Sequence, residues 1–195
     1  MATDALADSV VHHVERESDR VMGLNDIGFV EALPRDEGTL WRMLTYAASM
    51  GEGGDAMVAV AKADEFLRGY VEGWGFRPGD LGIIARGDRR QAVGAAWLRL
   101  RGAGGHFTVG DGRFPELATA VLPEMRGRGI GTSMVVRLME AARQQFPAVV
   151  LSVREDNPAV RFYVSLGFRE TARMQNRVGG TSVVMLRELT PFPEP

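Results

Sequence analysis

The residues most able to do chemistry lie together in the middle of the chain, in Val121-Leu122-Pro123-Glu124-Met125-Arg126-Gly127-Arg128-Gly129-Ile130-Gly131-Thr132. A strand-like apolar run leads into this segment and a helical apolar stripe leads out of it. Its three glycines can take positive φ and let a ligand approach the main chain closely. Successive N–H groups at the start of a helix, with the helix dipole behind them, form a site for an anion such as phosphate. Arg126 and Arg128 add positive charge for the same anion. A glycine-rich turn that holds nothing is the competing reading. The order strand, glycines, arginines, helix favours the anion site. The dinucleotide fingerprint is not met. Gly127-x-Gly129-x-x-Thr132 lacks the third glycine, as does Gly129-x-Gly131-x-x-Met134, and Pro123 to Arg126 intervene between strand and first glycine.

Other chemistries are excluded by what the chain lacks. Among 195 residues there is no cysteine, which removes disulfides, thiolate metal sites and thiol nucleophiles. Of 23 basic side chains only Lys62 is a lysine, and its Ala-Lys-Ala setting has no glycines. A phosphate loop ending in Gly-Lys-Ser/Thr is therefore absent, and a Schiff-base lysine would have to be this one residue. His12 and His13 are neighbours that diverge on a helix, and His106 stands in a glycine-rich run, so no metal site is expected. A net charge of −2 argues against a general nucleic-acid binder. The absence of a long apolar run near the start predicts neither a signal peptide nor a membrane span, and a reducing cytoplasm fits the missing cysteines.

These residues need elements to hold them. With 45% hydrophobic and 25% charged residues, the chain has the composition of one globular domain with a real core. Residues 1–26 read as a polar extension with loose helical spacing, 27–189 as the domain, and 190–195 as a tail. The pattern predicts a strand at 27–31 and a helix carrying Leu40, Met43, Leu44 and Ala47. A glycine break at 51–54 precedes a second helix over 63–72, and 73–80 is turn-rich. Strands follow at 81–86 and 92–100, joined as a hairpin, and then at 116–122. A helix over 131–145 shows Met134, Val135, Leu138, Met139 and Ala142 on one face. A strand at 148–153, a short helix at 158–166 and strands at 168–173 and 182–189 close the domain. A strand–helix–strand crossover flanked by hairpins predicts an α+β fold with a mixed sheet and helices on both faces.

Arg126-Gly127-Arg128-Gly129-Ile130-Gly131 resembles the pyrophosphate loop of the GCN5-related N-acetyltransferase superfamily. The run from Glu116 to Glu124 resembles that family's fourth strand. Asn157-Pro158-Ala159-Val160-Arg161-Phe162-Tyr163-Val164-Ser165-Leu166-Gly167-Phe168 is similar to its second signature. The likeness runs from about Ile27 to Leu189. It implies a splayed mixed sheet whose fourth and fifth strands part to receive acetyl-CoA. The pyrophosphate would then lie on N–H groups of Arg126, Gly127, Arg128, Gly129, Ile130, Gly131 and Thr132. Backbone of Ala120, Val121 and Leu122 would pair with the pantetheine arm. Asn157 matches a residue that touches that arm, although Asn before Pro is also a strong helix-capping pair.

The reaction implied is acetyl transfer to a primary amine by direct attack in a ternary complex. The amine must lose a proton and the departing thiolate must gain one. Tyr163 matches the family tyrosine near the CoA sulfur, and a phenol is protonated at neutral pH; packing beside Phe162 and Phe168 is its alternative role. Glu116 is the candidate base, on one strand face with Ala118 and Ala120, against a reading as a solvated strand-end carboxylate. Glu31, Glu72 and Glu155 are weaker alternatives. The acceptor is expected to be a small-molecule or peptide amine, met by segments 49–62, 73–80 and 101–115. Trp41, Tyr46, Trp74, Phe76 and Trp97 could line its pocket or fill the core. No metal is implied, and sheet edges offer a route to a homodimer. Two rival readings stay open, a protein or peptide N-acetyltransferase and a CoA-sensing module without catalysis.

Overall fold

The computed structural model describes residues 23–50, 54–101, 108–109, 112–177 and 179–189. The expected extension over 1–26 falls mostly, and the tail over 190–195 wholly, outside the described residues. The strands are β1 (Gly28–Glu31), β2 (Leu81–Arg86), β3 (Ala92–Arg99), β4 (Thr108–Val109), β5 (Gly112–Arg113), β6 (Glu116–Val121), β7 (Ala148–Arg154), β8 (Arg169–Gln175) and β9 (Thr181–Glu188). The α-helices are α1 (Glu37–Ala47), α2 (Asp55–Ala63), α3 (Glu65–Val71), α4 (Ile130–Ala142) and α5 (Ala159–Ser165). Seven strands form one sheet in the order β1-β2-β3-β6-β7-β9-β8, and β4 pairs with β5 apart from it. Every pairing in the large sheet is antiparallel except β6 with β7.

The predicted apolar stripes are the buried faces. Met134, Val135, Leu138, Met139 and Ala142 of α4 pack with Val93, Ala96, Leu98 and Leu117 on one side of the sheet. Leu40, Met43 and Leu44 of α1 pack with Ala95, Trp97, Ala118 and Ala120 on the other. Alternation along β3 and β6 sends successive side chains to opposite layers, so a helix covers each face. No helix among the described residues is long and apolar enough to cross a membrane.

One expectation is corrected. The helix expected over 63–72 is α3, starting two residues later, and a further helix, α2, precedes it; the two are separated at Asp64, whose ψ of 115° is extended. The Asp64 carboxylate accepts the N–H groups of Phe66 at 2.8 Å and Leu67 at 3.1 Å, capping α3. Helix α2 also occupies much of the stretch read as an acceptor loop at 49–62. The turn-rich segment after α3 is pinned by a buried ion pair between Asp80 and Arg99, N to O 3.1 Å. Arg99 also donates to the carbonyl of Gly73 at 3.1 Å.

Candidate functional site

The sheet splits at Glu116. Strands β6 and β7 share one register pair, Glu116 with Val150, and the Val150 N–H donates to the Pro115 carbonyl at 3.0 Å. Beyond that vertex β6 stays paired with β3 alone. The Leu122 N–H donates to the Val93 carbonyl at 2.9 Å, which fixes the phase of the ladder. Backbone groups of Leu122, Ala120 and Ala118 therefore turn toward β3, and those of Val121 and Thr119 turn into the split. Of the stretch 120–122, expected to offer its backbone to a ligand, only Val121 is so aimed. Thr119 joins it, and its Oγ1 is buried without a hydrogen-bond partner among the described residues.

The glycine loop closes the open end of the split. After the turn Pro123–Met125, Gly127 has φ +74° and Gly129 φ +76°. Gly129 caps α4 in the left-handed conformation. The first N–H bonded back into the helix is that of Ser133, to Gly129 at 3.0 Å. The N–H groups of Gly127, Gly129, Ile130, Gly131 and Thr132 have no acceptor among the described residues. They lie at the positive end of a 13-residue helix, where the sequence reading expects an anion. Ile130 contributes backbone only, because its side chain is in the core. Arg126 and Arg128 are turned onto the loop itself. Arg126 Nε donates to the Val121 carbonyl at 3.2 Å, and Arg128 to the Glu124 carbonyl at 2.9 Å.

Helix α5 stands against this loop: a Cβ added at Gly131 would lie 3.4 Å from the Phe162 ring. Tyr163 packs edge-on to Phe168, ring centroids 5.8 Å apart, and is 8% exposed. Burial pushes its phenol up to about 12. Among the described residues nothing hydrogen-bonds its hydroxyl. Asn157 Oδ1 accepts the Ala159 N–H at 2.9 Å, so the capping role is the one its carboxamide oxygen fills.

At the vertex the structure departs from the expected solvated strand end. Glu116 is 2% exposed. The Tyr70 hydroxyl donates to its Oε1, and Arg101 pairs with its Oε2 at 3.2 Å. Burial first, then the Glu116 charge, pushes the Tyr70 phenol well above its ordinary value. The Arg101 guanidinium lies between the rings of Phe66, at 4.2 Å, and Tyr70, at 4.3 Å, and also donates to the Phe66 carbonyl at 2.9 Å. Sequence reasoning placed Phe66 and Tyr70 in a helix core and missed Arg101, because a glutamate weighed as a solvated strand end gives no signal for a buried cation. Glu31 and Glu72 are exposed, and Glu155 pairs with Arg173 at 3.2 Å.

Trp41, Trp74 and Trp97 are core residues with their indole N–H groups bonded to Glu37, Ala32 and Tyr70. Phe76 is instead 80% exposed. His12, His13 and His106 lie outside the described residues, as does much of 101–115. Among the described residues no group of three or more His, Cys, Asp or Glu could hold a metal ion.

Comparison with known proteins agrees with this architecture. The acetyltransferase (GNAT) family matches residues 56–168, more than half of the chain. The chain belongs to that family. A search of the curated protein sequences gives no match. Among solved structures, a GCN5-related N-acetyltransferase from Kribbella flavida is similar at 20% identity and TM-score 0.60, covering 85% of this chain and 99% of its own. The protein yncA from Salmonella typhimurium, solved with its cofactor acetyl-CoA, is similar at 20% identity and TM-score 0.57, covering 87% and 97%. A phosphinothricin acetyltransferase from Sinorhizobium meliloti, in complex with acetyl-CoA, gives 18% identity and TM-score 0.56, covering 84% and 89%.

Proposed function

We propose that this protein transfers an acetyl group from acetyl-CoA to a primary amine by direct attack in a ternary complex. The observation that carries this reading is the split of β6 from β7 beyond Glu116, with five N–H groups at its open end that have no acceptor among the described residues. A pyrophosphate fits those N–H groups, and an amide-bearing arm fits the unpaired edge at Val121 and Thr119. Arg126 and Arg128 then leave the loop carbonyls for the phosphates. Bound acetyl-CoA supplies an activated acyl carbon and a thiolate leaving group. The amine nitrogen forms the new bond to that carbon as the carbon–sulfur bond breaks, and the sulfur takes a proton.

Tyr163 is the proposed donor of that proton. Its buried phenol stays protonated across the physiological range. Asn157, whose oxygen is committed to the helix, has its amide hydrogens to offer the pantetheine arm. Glu116 is the proposed base. Enclosed by Tyr70 and Arg101, it receives the amine proton through a water instead of by contact.

The test is a thermal shift with acetyl-CoA, followed by a panel of small amines and peptides that reads free thiol. Acetyl-CoA at a hundredfold excess over its dissociation constant stabilises by ~2.7 kcal/mol. NADH and ATP are expected to shift Tm much less; an equal shift with NADH overturns the reading. Acetyl-CoA binding without turnover on any acceptor would favour a sensing module.

A further inference from the structure

Strands β1, β2, β3 and β6 form one half of the sheet and β7, β9 and β8 the other, joined through the single pair Glu116–Val150. Arg177, between β8 and β9, reaches across from the second half to the start of α3, which packs with the first. Its NH1 and NH2 donate to the two oxygens of Asp64, each at 2.9 Å, the fork-to-fork geometry that fixes direction as well as distance. The same guanidinium lies over the Phe66 ring at 4.9 Å. Phe66 is in turn stacked on Arg101, which holds Glu116. A continuous file of contacts thus runs from the far half-sheet, across α3, to the vertex.

We propose that Arg177 is a positioning residue for the reacting end of the split, acting through Asp64. The pair sets how far the two half-sheets open on the α3 side and how much of a bound thioester is reached from that side. This rests on the acetyl-transfer reading above. The pair is partly exposed, so it adds little to global stability, and salt weakens it.

Two variants break the pair without breaking the helix. Arg177→Gln removes the charge, and Asp64→Asn keeps an oxygen to cap α3. The chain has no cysteine, so Val60→Cys with Ala172→Cys gives two clean spin-label sites, one on α2 and one on β8. The interlabel distance is expected to lengthen or broaden in both variants, and in wild type at high salt. With hydroxylamine as a small nucleophilic probe, release of thiol from bound acetyl-CoA rises by about threefold or more in each variant, once solution aminolysis is subtracted. The double variant is expected to do no more than either single, since the two share one interaction. Acetyl-CoA affinity and Tm stay near wild type. Unchanged distances together with unchanged hydroxylamine rates overturn the proposal. A wild type that binds no acetyl-CoA defeats the acetyl-transfer reading instead, and the distance measurement still decides the tie.

Discussion

At the scale of single residues, two buried side chains make opposite demands. The Tyr163 ring packs beside Phe162, Phe168 and neighbouring apolar side chains, and a neutral phenol suits that setting. Tyr163→Phe therefore keeps the packing, and wild-type Tm and acetyl-CoA affinity are expected. If the hydroxyl protonates the thiolate, kcat falls by ~10²–10⁴-fold when chemistry is rate-limiting. An undiminished kcat would rule the acid out. The same burial has a thermodynamic sign. A phenol raised to about 12 in the folded protein, against 10 when unfolded, favours folding fully below pH 10. That contribution is lost as pH rises from 10 to 12, amounting to roughly 3 kcal/mol at 1.36 kcal/mol per unit. Tyr70 acts in the same direction. Urea unfolding from pH 8 to 11 is expected to show a shallower alkaline loss in Tyr163→Phe than in wild type.

Glu116 carries a charge that Arg101 needs. Glu116→Gln keeps the acceptor for Tyr70 but strands a guanidinium whose side chain is nearly buried. Removing one partner of a buried pair costs roughly 3–5 kcal/mol, so this variant is expected to unfold at distinctly lower urea. Replacing Arg101 by Met in the same chain is expected to recover part of that loss. A loss below about 1 kcal/mol would place the pair energetically among exposed ion pairs.

At the scale of elements, the loop depends on backbone conformations more than on side chains. Gly129 has φ +76°, and a Cβ there would meet only Leu24 Cδ2 among the described residues, at an ordinary contact distance of 3.7 Å. Gly129→Ala therefore meets conformational strain without a clash. It is expected to cost roughly 1–2 kcal/mol of stability and to weaken acetyl-CoA as the niche shifts. Wild-type affinity by calorimetry would show that the loop holds no anion. Elements such as α1 and α4 were legible because their apolar stripes repeat at the helical period and match their buried faces. Helix α2 was not, because Gly51, Gly53 and Gly54 before it read as loop and its alanines carry a weak periodic signal. The vertex was not legible for another reason. Glu116 meets Arg101 15 residues away and Tyr70 46 away, and such pairings arise only when strand and helix are folded together.

For the whole molecule, the open side of β6 is an unpaired edge inside a sheet, a liability most folds cover. Here the ladder phase assigns each backbone group a side. Ala120 and Leu122 face β3, and Leu122 is already bonded to Val93. Thr119 and Val121 face the split, and among the described residues the Val121 carbonyl accepts only from the arginine of the adjacent loop. A ligand that pairs with β6 as an added strand must therefore protect alternate amides. Hydrogen exchange followed by NMR with saturating acetyl-CoA is expected to slow the Thr119 and Val121 amides by far more than those of Ala120 and Leu122. The Gly127 and Gly129–Thr132 amides are expected to slow with them, while β8 and β9 stay near their free rates. Equal slowing along all of 118–122 would mean that acetyl-CoA stabilises the fold globally without adding to the edge. No slowing at Val121 would place the arm elsewhere, even if the loop still held the pyrophosphate.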